Sequence, residues 1–211
     1  FNRFQNRNWS VHLGHNFINE FFNAETGFVP GAQVYPGQRE FFSNVTYTMY
    51  PQAPGIIRMG PSLDLSHTYI PNGTLTDRNY GLEYGISFNN ASEMGFSVNY
   101  VYQQLTIDFN PIDASRYTSF LEGEDYEWTA FSLGYSSNPR KLFTYEIEAT
   151  TGGFYNGNNF NLSGEINYRY QPYGNISLRF DYNDLRLPGE YGQEELFLIG
   201  PRIDLTFSDK I

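Results

Sequence analysis

One stretch constrains this chain more than any other: Phe160 to Tyr182, FNLSGEINYRYQPYGNISLRFDY. Two runs of strict alternation flank a short turn at Gln171-Pro172-Tyr173-Gly174. In the first run Phe160, Leu162, Ile166, Tyr168 and Tyr170 fall on one face, and Asn161, Ser163, Glu165, Asn167 and Arg169 on the other. In the second, Ile176, Leu178, Phe180 and Tyr182 oppose Asn175, Ser177, Arg179 and Asp181. Successive side chains of a strand point to opposite faces, so the pattern specifies a hairpin with one apolar and one polar face. Full charges (Glu165, Arg169, Arg179, Asp181) occupy the middle of the polar face. A transmembrane barrel, apolar toward lipid and polar toward its lumen, requires that distribution. A soluble sandwich or lipocalin-like barrel also alternates, with its charged face in water, so one hairpin leaves both architectures open.

The same alternation recurs along the chain. It predicts strands over about 8–17, 42–50, 55–69, 79–88, 94–102, 131–135, 143–150, 160–170, 175–182 and 197–207, about ten in all. After Gln103-Gln104 the apolar set moves to Leu105, Ile107 and Phe109, a slip that reads as a bulge or as emergence from a membrane. Tyr126 and Trp128 are out of phase with the Phe131, Leu133, Tyr135 set that follows. The connections alternate as well. Those near Pro51, Asn90, Asn138 and Pro172 are short, and those near Gly27, Gly73, Ile112 and Gly189 are longer, with a turn at Asn156–Asn159 as the short exception. Outer-membrane barrels have short periplasmic turns and longer outer loops, so the rhythm places both chain ends on the periplasmic side.

Composition narrows the alternatives. No run approaches the roughly 18 apolar residues of a membrane-spanning helix, and the mean hydropathy is −0.50. Tyr (18) and Phe (19) are abundant, and amphipathic aromatic rings form the girdles of membrane barrels. Cysteine is absent, which excludes a disulfide scaffold, a thiolate metal site and cysteine catalysis. A net charge of −10 offers no basic patch to displace counterions from phosphates, which argues against nucleic acid. The expected fold is therefore all-β: an antiparallel transmembrane β-barrel of the outer-membrane type over residues 1–211. The opening Phe1-Asn2-Arg3 and the turn-like close at Ser208-Asp209-Lys210-Ile211 suggest truncation at one or both ends, so a piece of a larger barrel fits equally.

The polar face collects Arg58, Asp64, Glu83, Glu146, Glu148, Glu165, Arg169, Arg179, Asp181, Arg202 and Asp204 as lumen-facing candidates. Glu165 is expected within cross-strand reach of Arg179. Such a set either handles a polar solute or forms a charge network that fills and stiffens a narrow barrel. Glu146 and Glu148 point the same way, as paired carboxylates do in glycoside hydrolysis, but nothing marks either as a raised-pKa acid, and no catalytic residue is assigned. His12 and His15 fall on opposite faces of one strand, wrong for joint metal ligation. The acidic loop with Asp113, Glu122, Glu124 and Asp125 lacks the ligand spacing of a calcium loop and reads as solvated. No metal or cofactor is expected.

Four phrases carry a resemblance: FNAETGFVP (Phe22–Pro30), YSSNPRK (Tyr135–Lys141), YRYQPYGNISL (Tyr168–Leu178) and LIGPRIDLTFSDK (Leu198–Lys210). Together they resemble the C-terminal barrel region of a Bacteroidetes family that pairs a domain similar to carbohydrate-binding family 9 with a C-terminal domain of unknown function. The resemblance implies a bacterial outer-membrane location, outer-membrane lipid as a partner, glycan handling, and further strands past Ile211. The expected function is a non-enzymatic anchor or assembly component whose outer loops contact a partner protein or glycan, with Glu25, Phe28 and Tyr35 as loop candidates. A channel or transporter for a small polar solute or glycan is the alternative, and a glycan-processing enzyme the third reading.

Overall fold

The structure is a computed structural model, and it describes residues 2–22, 37–112 and 116–205. It contains one antiparallel sheet in which eleven strands pair strictly in chain order. They are β1 (Asn2–Gln5), β2 (Trp9–Ile18), β3 (Gln38–Tyr47), β4 (Ile56–Tyr69), β5 (Leu75–Phe88), β6 (Glu93–Gln104), β7 (Asp125–Ser136), β8 (Phe143–Phe154), β9 (Gly157–Tyr170), β10 (Gly174–Arg186) and β11 (Gln193–Leu205). The only helical element among the described residues is a 3-10 turn at Gly189–Tyr191.

The eleventh strand is the short β1, which the alternation did not reveal. It pairs with Ser10–Leu13, so Asn2 lies level with the middle of β2 rather than at the short-turn end. An odd count also means that β1 and β11 run in the same direction. They do not pair with each other, and the sheet has two edges rather than closing. Pro201 lies in β11, the edge strand, where a missing N–H costs the ladder least. Pro61 lies just beyond the last β3–β4 rung, Thr46↔Ser62.

Register sorts the side chains into two faces. One row, Val11, Val45, Leu63, Leu82, Val98 and Phe131, runs across six strands without a polar residue. The other face carries the row Ser10, Thr46, Ser62, Glu83, Ser97, Ser132, Thr150, Asn161 and Asn183 across nine strands. The sheet curls so that residues of β3 to β10 surround a single cavity of about 730 Å3. The charged residues that line it belong to the polar face, so the polar face is concave and the apolar face convex. No second layer covers the middle of the convex face among the described residues: Leu82 is 53% exposed, Phe96 47% and Leu133 48%.

Only three hydrophobic residues are buried among the described ones: Leu105, Phe120 and Leu187. They form one cluster, not at the centre of the sheet but at the end where the longer connections lie. The slip at Gln103-Gln104 is thereby explained. β6 ends at Gln104, and Leu105 turns into this cluster instead of continuing the convex face.

Candidate functional site

The concave face provides the site. The direct register Glu165↔Arg179 puts the expected pair face to face. Arg179 donates to Glu165 Oε2 from Nε at 3.0 Å and from its terminal nitrogen at 2.6 Å. Asn167 donates to the other carboxylate oxygen at 2.8 Å. On the far side of Glu165 the register places Glu146 directly opposite, two carboxylates in one row. The row continues to Ser136, whose hydroxyl donates to Glu146 at 3.3 Å. Like charges directly across strands repel, so Arg179 holds a row that would otherwise be unfavourable.

Of the eleven lumen-facing candidates, Arg58, Glu83, Glu146, Glu148, Glu165, Arg179 and Asp181 line the main cavity. Arg58 sits at its short-turn end with Ser87 and Glu93, its terminal nitrogen 3.5 Å from Glu93. The register skips Ile57 there, a bulge that Gly60 and Pro61 follow. The other four candidates do not line it. Asp64 accepts from Asn44 at 2.7 Å within a concave hydrogen-bond network. Arg169 closes the β7–β8 turn by donating to the carbonyls of Pro139 and Lys141, the latter at 2.6 Å. Arg202 and Asp204 pair with one another along the edge strand at 2.9 Å. The loop candidates Glu25, Phe28 and Tyr35 lie outside the described residues.

What alternation could not reveal is an apolar cap on the concave side at the long-connection end. Tyr126 and Trp128, out of phase with the convex set of β7, point into the concave side and meet the ring of Tyr155 at 5.3 and 5.0 Å. Phe120 is completely buried between Tyr155 and Tyr191, stacked at 4.8 and 4.5 Å, with Tyr126 edge-on at 5.0 Å. Burying a ring of this size stabilises by about 1.5–3 kcal/mol, and each well-placed aromatic pair adds about 0.5–1.5 kcal/mol. The β8–β9 turn is Tyr155-Asn156, one step earlier than alternation suggested, because Gly157 already pairs with Phe154. Tyr155 holds φ at 50°, a left-handed conformation unusual for a residue with a side chain. Its ring packing and its hydroxyl bond to Gln103 at 2.8 Å offset that strain.

The connection 105–124 reaches from β6 across to the β10–β11 connection. Within it Phe109 and Phe120 exchange backbone hydrogen bonds at 2.9 and 2.8 Å, a minimal hairpin. At its far side Thr118 bonds to Glu190 through both backbone and hydroxyl, Arg116 pairs with Glu194, and the Tyr117 hydroxyl donates to the Gln193 carbonyl at 3.3 Å. The Tyr117 ring lies where a Cβ on Gly192 would stand, and Gly192 has φ at 91°, so only glycine fits there. Of the acidic residues of this segment, Glu124 has a structural role, and Asp113 lies outside the described residues. Glu124 accepts from Tyr126 at 2.6 Å and from the Leu121 backbone at 2.9 Å. Those donors, Tyr126 first, hold its carboxyl below the ordinary carboxylate range.

Among the described residues no group of three or more His, Asp and Glu is placed to hold a metal ion. His12 and His15 take opposite faces, His12 level with Asn44 and His15 level with Phe41. In comparisons with known proteins, no family model, curated protein or solved structure matches this chain.

Proposed function

We propose that this chain is an outer-membrane β-barrel, or a segment of one, that acts as a non-conducting anchor or assembly component and presents its longer connections to a partner protein or glycan. The placement of the two faces supports the membrane. A soluble barrel of this pattern would turn its charged row outward, whereas here that row lines the cavity and an apolar band faces out, with the convex Arg39, Arg78 and Arg186 toward the long-connection end. Strands of 12–14 residues in β4 to β10 are long enough for a tilted crossing. The resemblance to the Bacteroidetes barrel region agrees with this location.

The observation that carries the anchor reading is the aromatic cap. Phe120 and its partners fill the concave side at the long-connection end, where a conducting pore would need water. The charge row beneath it then serves as filling for a narrow interior. The cavity itself favours the second reading, a channel for a small polar solute gated by the cap. Planar-bilayer recording tests both. The full chain is expected to give no discrete conductance steps and to co-purify from its native membrane with a stoichiometric companion. Steady conductance whose ion selectivity changes with Arg179→Gln would replace the anchor by the channel.

A further inference from the structure

The arginines of the strands sort unevenly between the faces. Arg3, Arg58, Arg169, Arg179 and Arg202 are on the concave side; Arg3 donates to Gln5 at 2.5 Å, and the other four have the acceptors described above. On the convex side lie Arg39, Arg78 and Arg186. Arg186 pairs with Asp184 at 2.7 Å, and Arg78 lies 3.8 Å from Glu127 while packing over the rings of Tyr80, Tyr100 and Tyr102. Arg39 has no such carboxylate among the described residues. It is exposed, and its guanidinium stands 5.4 Å from the ring centroid of Phe17, its β2 neighbour.

Arg39 borders a groove of about 390 Å3 formed with Phe41, His67, Tyr69, Ile70 and Pro71. The register Arg39↔Tyr69 and Phe41↔His67 puts all four strand residues on the convex face. They lie where β3 and β4 meet the longer connections, at the rim of the apolar surface. His15 stacks on Phe41 at 4.5 Å, and His67 Nε2 lies 2.9 Å from the Tyr80 hydroxyl, which together extend an aromatic floor beneath a cationic edge. In a protein with net charge −10, an exposed arginine at the edge of an aromatic groove runs against the overall electrostatics.

We propose that the Arg39–Phe41–His67–Tyr69 groove binds the net-anionic, phosphate-bearing headgroup of a membrane lipid in the leaflet at the long-connection end. This rests on the membrane reading, which sets the groove at headgroup level. Guanidinium meets phosphate with charge and hydrogen bonds, and the rings beside it suit the boundary between headgroup and acyl chain. The aromatic floor and the position at the rim favour a lipid over a free anion.

The test is native mass spectrometry of the full chain released from nanodiscs of equal phosphatidylglycerol and phosphatidylcholine. The wild type is expected to retain phosphatidylglycerol over phosphatidylcholine by about fivefold, the gain of one arginine at an anionic surface. Arg39→Gln should bring the ratio close to one, Arg39→Lys should keep most of it, and the concave Arg202→Gln should leave it unchanged. A wild-type ratio of one, or a ratio untouched by Arg39→Gln, overturns the proposal. So does displacement of the lipid by inorganic phosphate at matched concentration, which would mark a soluble-anion site. A chain that fails to insert into the nanodiscs overturns the membrane reading along with it, whereas insertion without preference overturns the lipid site alone.

Discussion

Arg179 is the residue on which the concave charge row depends. It faces Glu165, and Glu165 faces Glu146, so the row holds two carboxylates for one guanidinium. The Arg179 side chain is 76% exposed, so solvent screens the pair and keeps it weak. Neutralising the two partners should therefore have unequal effects. Arg179→Gln leaves opposed carboxylates uncompensated, while Glu165→Gln also removes a repulsion. Urea unfolding in lipid vesicles should place Arg179→Gln below Glu165→Gln in stability, and the reverse order would show that the row is not held this way. Glu165 and Arg179 were legible as partners from the turn at Pro172 alone. Asp64, Arg169, Arg202 and Asp204 share the same parity, but parity does not encode height or distance from an edge. They lie above, below or beside the cavity.

At the scale of elements, the connection 105–124 is the part with a core of its own. Phe120→Ala would empty the centre of the aromatic cap at a cost of about 3–5 kcal/mol. Because Phe120 packs at one end of the sheet, against Tyr126, Tyr155 and Tyr191, the loss should be local. Hydrogen exchange across residues 105–124 should accelerate strongly while the β-sheet circular dichroism remains, whereas global unfolding would contradict a separate cap. Acid should act on the same element. The carboxyl of Glu124 is held low by Tyr126 and Leu121, so its contribution is fully present above the ordinary carboxylate range. That contribution is lost as the pH falls through the lowered value, and exchange in the cap should rise there. In the sequence this cap appeared only as irregularities: the slip after Gln104, the wrong phase of Tyr126 and Trp128, and an acidic loop. Each violates strand periodicity because its side chains serve a cluster built from three separate connections. Single-chain alternation cannot register contacts of that range.

For the molecule as a whole, the eleven-stranded meander followed from period-two patterning in all but β1, too short at four residues to show a pattern. The polar and apolar faces were legible too, but not which of them curls inward, since curvature is a property of the assembled sheet. That property separates a membrane reading from a soluble one. In lipid, Leu82→Arg on the convex face should destabilise by about 2–4 kcal/mol, while Ser97→Arg, on the concave face beside Glu83, should stay within about 0.5 kcal/mol. Equal effects would mean that both faces meet the same solvent.

The two tryptophans offer the most direct test, because they lie on opposite faces. Trp9 is on the convex side, paired with Tyr47 and 45% exposed, and Trp128 points into the aromatic cap. Single-tryptophan versions, Trp128→Phe and Trp9→Phe, can be reconstituted into vesicles whose acyl chains carry bromine, a short-range fluorescence quencher. The Trp9 emission should be strongly quenched and the Trp128 emission should not. Quenching of neither, or of Trp128 in preference to Trp9, would contradict a barrel that turns its apolar face to lipid.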